Sequence, residues 1–227
     1  MKMGTIRQEH RERIKSKLLH SAASLFLERG YHASRITDIT AAAGVDSNAV
    51  ARVFGDKESL MAELVTYVLA GQFEAAEKLV KGLTDDKMLL YAAETTLQLY
   101  MAESSEHIRE LYSVAYSSPK SSKVIFDAIT RKLEDIFGEH LPHLTSKDFY
   151  ELEIASGGIM RSYLTVPCDR YFTMERKVRR FLETTLRVYE VPAERINEAV
   201  SFVSQFDYPA IAQEVMDNML SYLLSKT

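Results

Sequence analysis

From Ile14 the apolar residues Ile14, Leu18, Ala22, Leu25 and Phe26 recur at steps of three and four, which puts them on one face of an amphipathic helix over about 13–29. Gly30 follows Arg29 and ends it. Ser34 is placed to cap a second, short helix over 36–43, with Ile36, Ile39 and Ala43 on its inner face. Gly44 then suits a left-handed turn, and Val45 can plug the core. A third short helix is predicted over 47–54, with Val50 and Phe54 facing inward. Asp56 can cap a fourth, whose apolar positions Leu60, Leu64, Tyr67 and Val68 continue towards Val80.

Beyond Gly82 the predicted helices lengthen, over 85–102, 106–117, 119–138, 146–166, 174–190, 193–204 and 208–224. Prolines 119, 142, 167, 192 and 209 stand at their boundaries, where a missing N–H and a fixed φ do least harm. No stretch shows the sustained alternation of a strand. The predicted fold is all-α: a three-helix unit and its leading segment over 1–57, joined by a long helix to a larger helical bundle over 58–227.

Composition adds little until charge is resolved along the chain. With 46% apolar and 26% charged residues the sequence reads as globular, and no apolar run approaches a membrane span. The basic start lacks the apolar core of a signal peptide, and the single Cys168 excludes an internal disulfide framework, so a cytoplasmic location without membrane contact is expected. The net charge of −4 conceals an asymmetry, since residues 1–57 carry +4 and the remainder −8. A basic head on an acidic body suggests that the head alone meets a polyanion.

Two short helices around a glycine turn form a helix-turn-helix, which presents its second helix to the major groove of DNA. The surrounding sequence is more specific. Ala22-Ala23-Ser24-Leu25-Phe26-Leu27-Glu28-Arg29-Gly30-Tyr31, Ile36-Thr37-Asp38-Ile39, Ala43-Gly44-Val45 and Phe54-Gly55-Asp56-Lys57-Glu58-Ser59-Leu60, at these spacings, resemble the tetracycline-repressor (TetR) family over about a quarter of the chain.

That resemblance implies a homodimer on a pseudo-palindromic, double-stranded operator, and repression relieved by a small molecule in the C-terminal part. Carried over by position, Arg35 and Thr37 are implied as DNA contacts, Thr37 with a phosphate. Ser47, Asn48, Ala49 and Arg52 are implied on the groove side of the recognition helix, and Lys57 near the backbone. The chemistry fits, since Arg52 can fork onto guanine, Asn48 can read adenine, and Lys57 at a helix start suits a phosphate. Ser47 can also serve as the N-cap. The sequence departs from the family at Ala51, usually tyrosine, at Val53, often histidine, and at Asn48, often glycine. These departures leave open a helical dimeric interaction protein whose degenerate helix-turn-helix no longer binds DNA specifically.

In the second part, Tyr100, Tyr112, Tyr116, Met160 and Tyr163 are candidates to line an apolar ligand cavity, with His107 and Arg161 to orient the ligand, although such residues also fill ordinary cores. Gly157-Gly158 inside a helix costs about 1 kcal/mol per glycine, so a close helix contact is expected there. In this family late helices pair across the dimer axis, and helix 146–166 is the expected member, with a wall of the ligand pocket as the competing role. Glu139, His140 and His143 make a weak metal pattern, and no enzyme motif, metal site or cofactor is indicated.

Overall fold

The computed structural model describes the backbone of residues 2–225 and the side chains of 8–222. All regular elements among these residues are helices: α1 (Lys2–Arg29), α2 (Ile36–Ala42), α3 (Ala49–Val53), α4 (Lys57–Val80), α5 (Lys87–Ser104), α6 (Glu106–Ser117), α7 (Pro119–Phe137), α8 (Ser146–Thr165), α9 (Met174–Val188), α10 (Ala193–Val203) and α11 (Tyr208–Ser225). The helices expected beyond Gly82 are all present, with ends displaced by a few residues. None is long and apolar enough to cross a membrane.

Local chemistry fixes most helix starts. Asp56, Asp86, Ser105 and Thr173 each accept a backbone N–H of the first turn of α4, α5, α6 and α9. Pro119 opens α7, where its missing N–H is already an orphan. Two expectations need correction. Helix α1 begins at Lys2 rather than near residue 13, so the backbone of the basic leading segment is helical from there; Met1 and the side chains of Lys2 and Arg7 lie outside the description. Ser34 does not cap α2. It is fully buried and donates to the carbonyls of Leu25 and Gly30, tying the end of α1 to the following loop, while Asp38 accepts the Arg35 N–H at the start of α2.

Helices α1–α3 close a small core in which Leu18, Ala22, Phe26, Ile39, Val50 and Leu60 are almost completely buried. Ile36, expected inside, is exposed. A seven-residue helix can turn only one narrow face to α1, and Ile39 and Ala43 occupy it. The larger bundle surrounds α5, which packs against every helix from α4 to α11. Phe137 and Tyr189 stack at 4.3 Å, with Tyr91 edge-on to both. Helix α1 also packs on α6 and α11, so the N-terminal unit rests on the bundle as well as being joined to it by α4.

Leu97, fully buried on α5, has no route to solvent. Leu97→Ala is expected to destabilise the fold by about 2–5 kcal/mol, because enclosure on all sides prevents collapse of the cavity. Urea unfolding gives that value; a loss under 1 kcal/mol would show that the bundle closes around the gap.

Candidate nucleic-acid interface and internal cavity

The turn between α2 and α3 is built by Gly44 at φ +62, a left-handed conformation that side chains disfavour. The Val45 N–H donates to the Thr40 carbonyl, and Val45 packs half-buried on the core. Asp46 then accepts the Asn48 N–H and shapes the entry into α3. The outer face of this unit exposes Arg35, Thr37, Ser47, Asn48, Ala51 and Arg52.

Ala49 is corrected from groove-facing to core, since it is fully buried beside Val50. The reason is helical phase. Helix α3 starts at Ala49, so residues 49 and 50 turn towards α1 while 48, 51 and 52 point outward. Ser47 lies in the preceding turn, and the N-cap position falls to Asn48.

Arg52 is not free. Its guanidinium forks onto Asp46, with Nη1 at 2.6 Å from Oδ1 and Nη2 on Oδ2. This pair lowers the Asp46 pKa and raises that of Arg52, through their hydrogen bond first. Lys57 turns inward from the start of α4. Its ammonium donates to the Tyr31 carbonyl at 2.6 Å and lies 4.0 Å from the centre of the Tyr31 ring. Burial pushes its pKa down. Its charge is therefore spent on holding the Gly30–Tyr31 turn against α4.

Two contacts fasten this unit to the bundle. On α6, Glu110 accepts the His32 N–H at 2.8 Å, and His107 Nδ1 lies 3.0 Å from the Leu27 carbonyl oxygen. Gly30, at φ +85, makes the first possible, because a Cβ there would stand 2.1 Å from a Glu110 oxygen. At the α6–α7 junction, Ser118 and the Lys120 N–H donate to Glu58, while the Lys120 ammonium bonds Asp56 at 2.6 Å.

Behind these contacts lies an apolar cavity of about 80 Å³ between α1, α4, α5, α6, α7 and α11. Met61, Met101, Met216 and Met219 contribute to its wall, and Gln72, Gln98, Tyr112 and Tyr116 border it although the surface it exposes is apolar. A second chamber of about 20 Å³ adjoins it through Gln98 and Tyr116 and contains Glu94, Glu153, Gly157 and Met160. Tyr112 and Tyr116 border the apolar cavity, and Tyr116 and Met160 border the second chamber. Tyr100, His107, Arg161 and Tyr163 do not line either space. Tyr100 stacks on Tyr208, His107 is engaged with α1, Arg161 is exposed, and Tyr163 packs on Phe172 and Phe181.

The glycine pair divides its work. Gly158 faces open space, whereas a Cβ on Gly157 would approach Phe126 of α7 to 3.1 Å and the Glu153 carboxylate to 3.2 Å. Gly157 is therefore corrected from the expected dimer face to the interior. Sequence reasoning also missed Gln72, Glu94, Gln98 and Glu153. Their signal was polarity at inward positions: Tyr91, Glu94, Gln98 and Met101, like Phe149, Glu153, Ser156 and Met160, recur at helical steps. His140 Nε2 meets the Glu190 carbonyl oxygen, and no group of three or more potential metal ligands occurs among the described residues.

A helix-turn-helix seated on an all-helical bundle that encloses a cavity defines a narrow class of protein. The sequence model of the tetR family of bacterial regulatory proteins matches residues 18–64 of the chain. A curated relative, the HTH-type transcriptional repressor KstR2 of Rhodococcus jostii (strain RHA1), is 35% identical over 82 residues, 36% of this chain and 40% of that protein. The chain thus matches less than half the length of this relative. The fold is that of RolR: its complex with the ligand resorcinol aligns at a TM-score of 0.66 and 18% identity, over 86% of this chain and 96% of that one. RolR without ligand aligns at 0.56 and 19%, over 82% and 95%.

The junction clasp has a measurable signature. The hydrogen bond from Lys120, reinforced by Ser59, holds the Asp56 carboxyl down at about 2. A depressed carboxyl stabilises the fold above its unfolded pKa and loses that contribution as pH falls through about 2. In Lys120→Met the Asp56 pKa is expected to rise towards the ordinary carboxylate range. Carboxyl-carbon NMR titration reads this directly, and an unmoved pKa would show that the Ser59 contacts alone account for the shift.

Proposed function

We propose that this protein is a non-enzymatic DNA-binding transcriptional regulator, a repressor that sits on palindromic double-stranded operator DNA as a homodimer and leaves it when a small molecule fills the cavity. The observation that carries this reading is the position of α6. Its Ile108, Leu111, Tyr112, Ala115 and Tyr116 line the cavity, and its Glu110 and His107 hold the end of α1. A ligand that displaces α6 must therefore disturb the seat of the helix-turn-helix. The family match over 18–64 supports the DNA-binding half of the reading. The loss of the family tyrosine at Ala51 is offset by a face that still exposes Arg35, Thr37, Ser47, Asn48 and Arg52.

For the homodimer, α8 supplies the candidate face. Tyr150, Ile154 and Gly158 follow one another at four-residue steps on its exposed side, and the open space at Gly158 admits a second helix closely. In the KstR2 and RolR names, repression and a bound aromatic ligand belong to those proteins; here they motivate the same class of behaviour, with operator and effector to be identified.

On DNA, Arg52 must exchange Asp46 for a base edge, so Asp46 both holds the guanidinium ready and opposes phosphate approach. Selection of bound duplexes from a random pool should return an inverted repeat, with affinity falling steeply as salt rises. Arg52→Ala is expected to lose discrimination among the selected sites by about 1–3 kcal/mol. Asp46→Asn should instead tighten binding to all duplexes. Equal weakening by both would show that the pair acts only as a structural link, and recovery of no preferred sequence would favour the degenerate interaction protein.

The coupling route is tested separately. Glu110→Gln keeps the size of the side chain and weakens its acceptance from His32. The variant should keep ligand affinity while the ligand's effect on DNA affinity shrinks, since coupling is a free energy shared by the two sites. Fluorescence titration with and without DNA measures both. Unchanged coupling would move the route to α4.

A further inference from the structure

The chamber beside the apolar cavity combines features that ordinary core packing does not require. Glu94 on α5 and Glu153 on α8 are 1% and 3% exposed, face the same 20 Å³ space, and take part in no ion pair found among the described residues. Burying even one carboxyl without a cation is costly, and two facing one chamber compound that cost. Glu94 accepts from Gln98 Nε2 at 2.6 Å, and Glu153 accepts from Ser156 Oγ at 2.7 Å. Gly157 keeps the space beside Glu153 clear. Gln72, whose side chain borders the adjoining apolar cavity, keeps a buried Oε1 without a hydrogen-bond partner. Tyr116 donates to Gln98 and Gln98 to Glu94, so one polar chain runs from the border of the apolar cavity to the Glu94 carboxyl.

We propose that these two spaces form one binding site for a lipophilic amine, with its hydrocarbon body in the methionine-lined cavity and its ammonium against Glu94 and Glu153. The regulator reading supplies the consequence of binding, and the proposal deepens it by naming the ligand class. The four methionines let the apolar wall adapt to different hydrocarbon shapes. A neutral hydrocarbon or alcohol would use the cavity and leave the second carboxyl without a purpose.

The groups around the carboxyls set the pH response. Tyr91 and Gln98 face them from α5, Tyr112 and Tyr116 from α6, Lys132 from α7 and Tyr189 from the end of α9. Lys132 borders the chamber and its charge lowers the Glu94 pKa in part, while its ammonium lies 3.5 Å from Glu77 and 4.7 Å from the Phe73 ring centre. Burial raises Glu94 to about 7 and Glu153 to about 8, the latter also through the charge of Glu94. An ammonium ion favours the ionised carboxylates, so its binding releases protons to the buffer and strengthens as pH rises between about 6 and 8.

The test is calorimetric titration of the full chain with 4-phenylbutylamine and with the neutral 4-phenylbutan-1-ol. The amine should bind about tenfold tighter or more, gain about tenfold between pH 6 and 8, and show a heat that depends on buffer ionisation. The double variant Glu94→Gln, Glu153→Gln should bind both compounds alike. Amine binding with no preference over the alcohol, no proton release in the unmodified chain, or no binding of either compound overturns the proposal. Release of selected DNA, measured in parallel, separates the two readings. If the alcohol alone releases DNA, the regulator stands and the amine site falls. Tight amine binding that leaves DNA affinity unchanged keeps the site and removes its regulatory role.

Discussion

The structure depends on the enclosure of α5. A helix packed on all sides normally carries apolar residues throughout, yet α5 takes Glu94, Thr95, Thr96 and Gln98 into the interior. Glu94, Thr95 and Gln98 find partners there. Thr95 bonds back to Tyr91, Gln98 links Glu94 to Tyr116, and Tyr91 reaches Thr185 on α9. These bonds tie α6 and α9 to α5 along a polar seam instead of a uniformly oily core. The cavity opens where that seam meets the apolar surface of α4, α6 and α11.

Helix α6 converts this arrangement into a lever. One side faces the cavity and its N-terminal half grips α1 through Glu110 and His107, while the turn after it clasps Glu58 and Asp56 at the start of α4. Both grips fall on the segments that flank the helix-turn-helix in sequence. Charged surface pairs of this kind add little stability singly. Their value is geometric, because they define one docking position for the N-terminal unit. The Arg52–Asp46 fork has the same character. It keeps a long flexible side chain in one orientation until a stronger partner for the guanidinium arrives.

Local sequence carried the helix list, the glycine turn, the cap at Asp56 and the boundary at Pro119, since these depend on contacts within a few residues. The block from Ala22 to Leu60 likewise carried the family resemblance, because a helix-turn-helix is locally encoded and its spacing is rigid. What the sequence could not settle is the direction in which individual side chains point. A shift in where α3 begins moved Ala49 into the core, and Ser34 found carbonyls of α1 in place of a helix cap. Lys57 looked like a phosphate ligand until the fold brought the Tyr31 ring and carbonyl beneath it. Glu94 and Glu153 lie 59 positions apart, and only the packing of α8 against α5 and α7 places both on one chamber. Local periodicity determines which segments are helices; which polar groups share a buried space is decided by long-range packing, whose pairings leave no local trace.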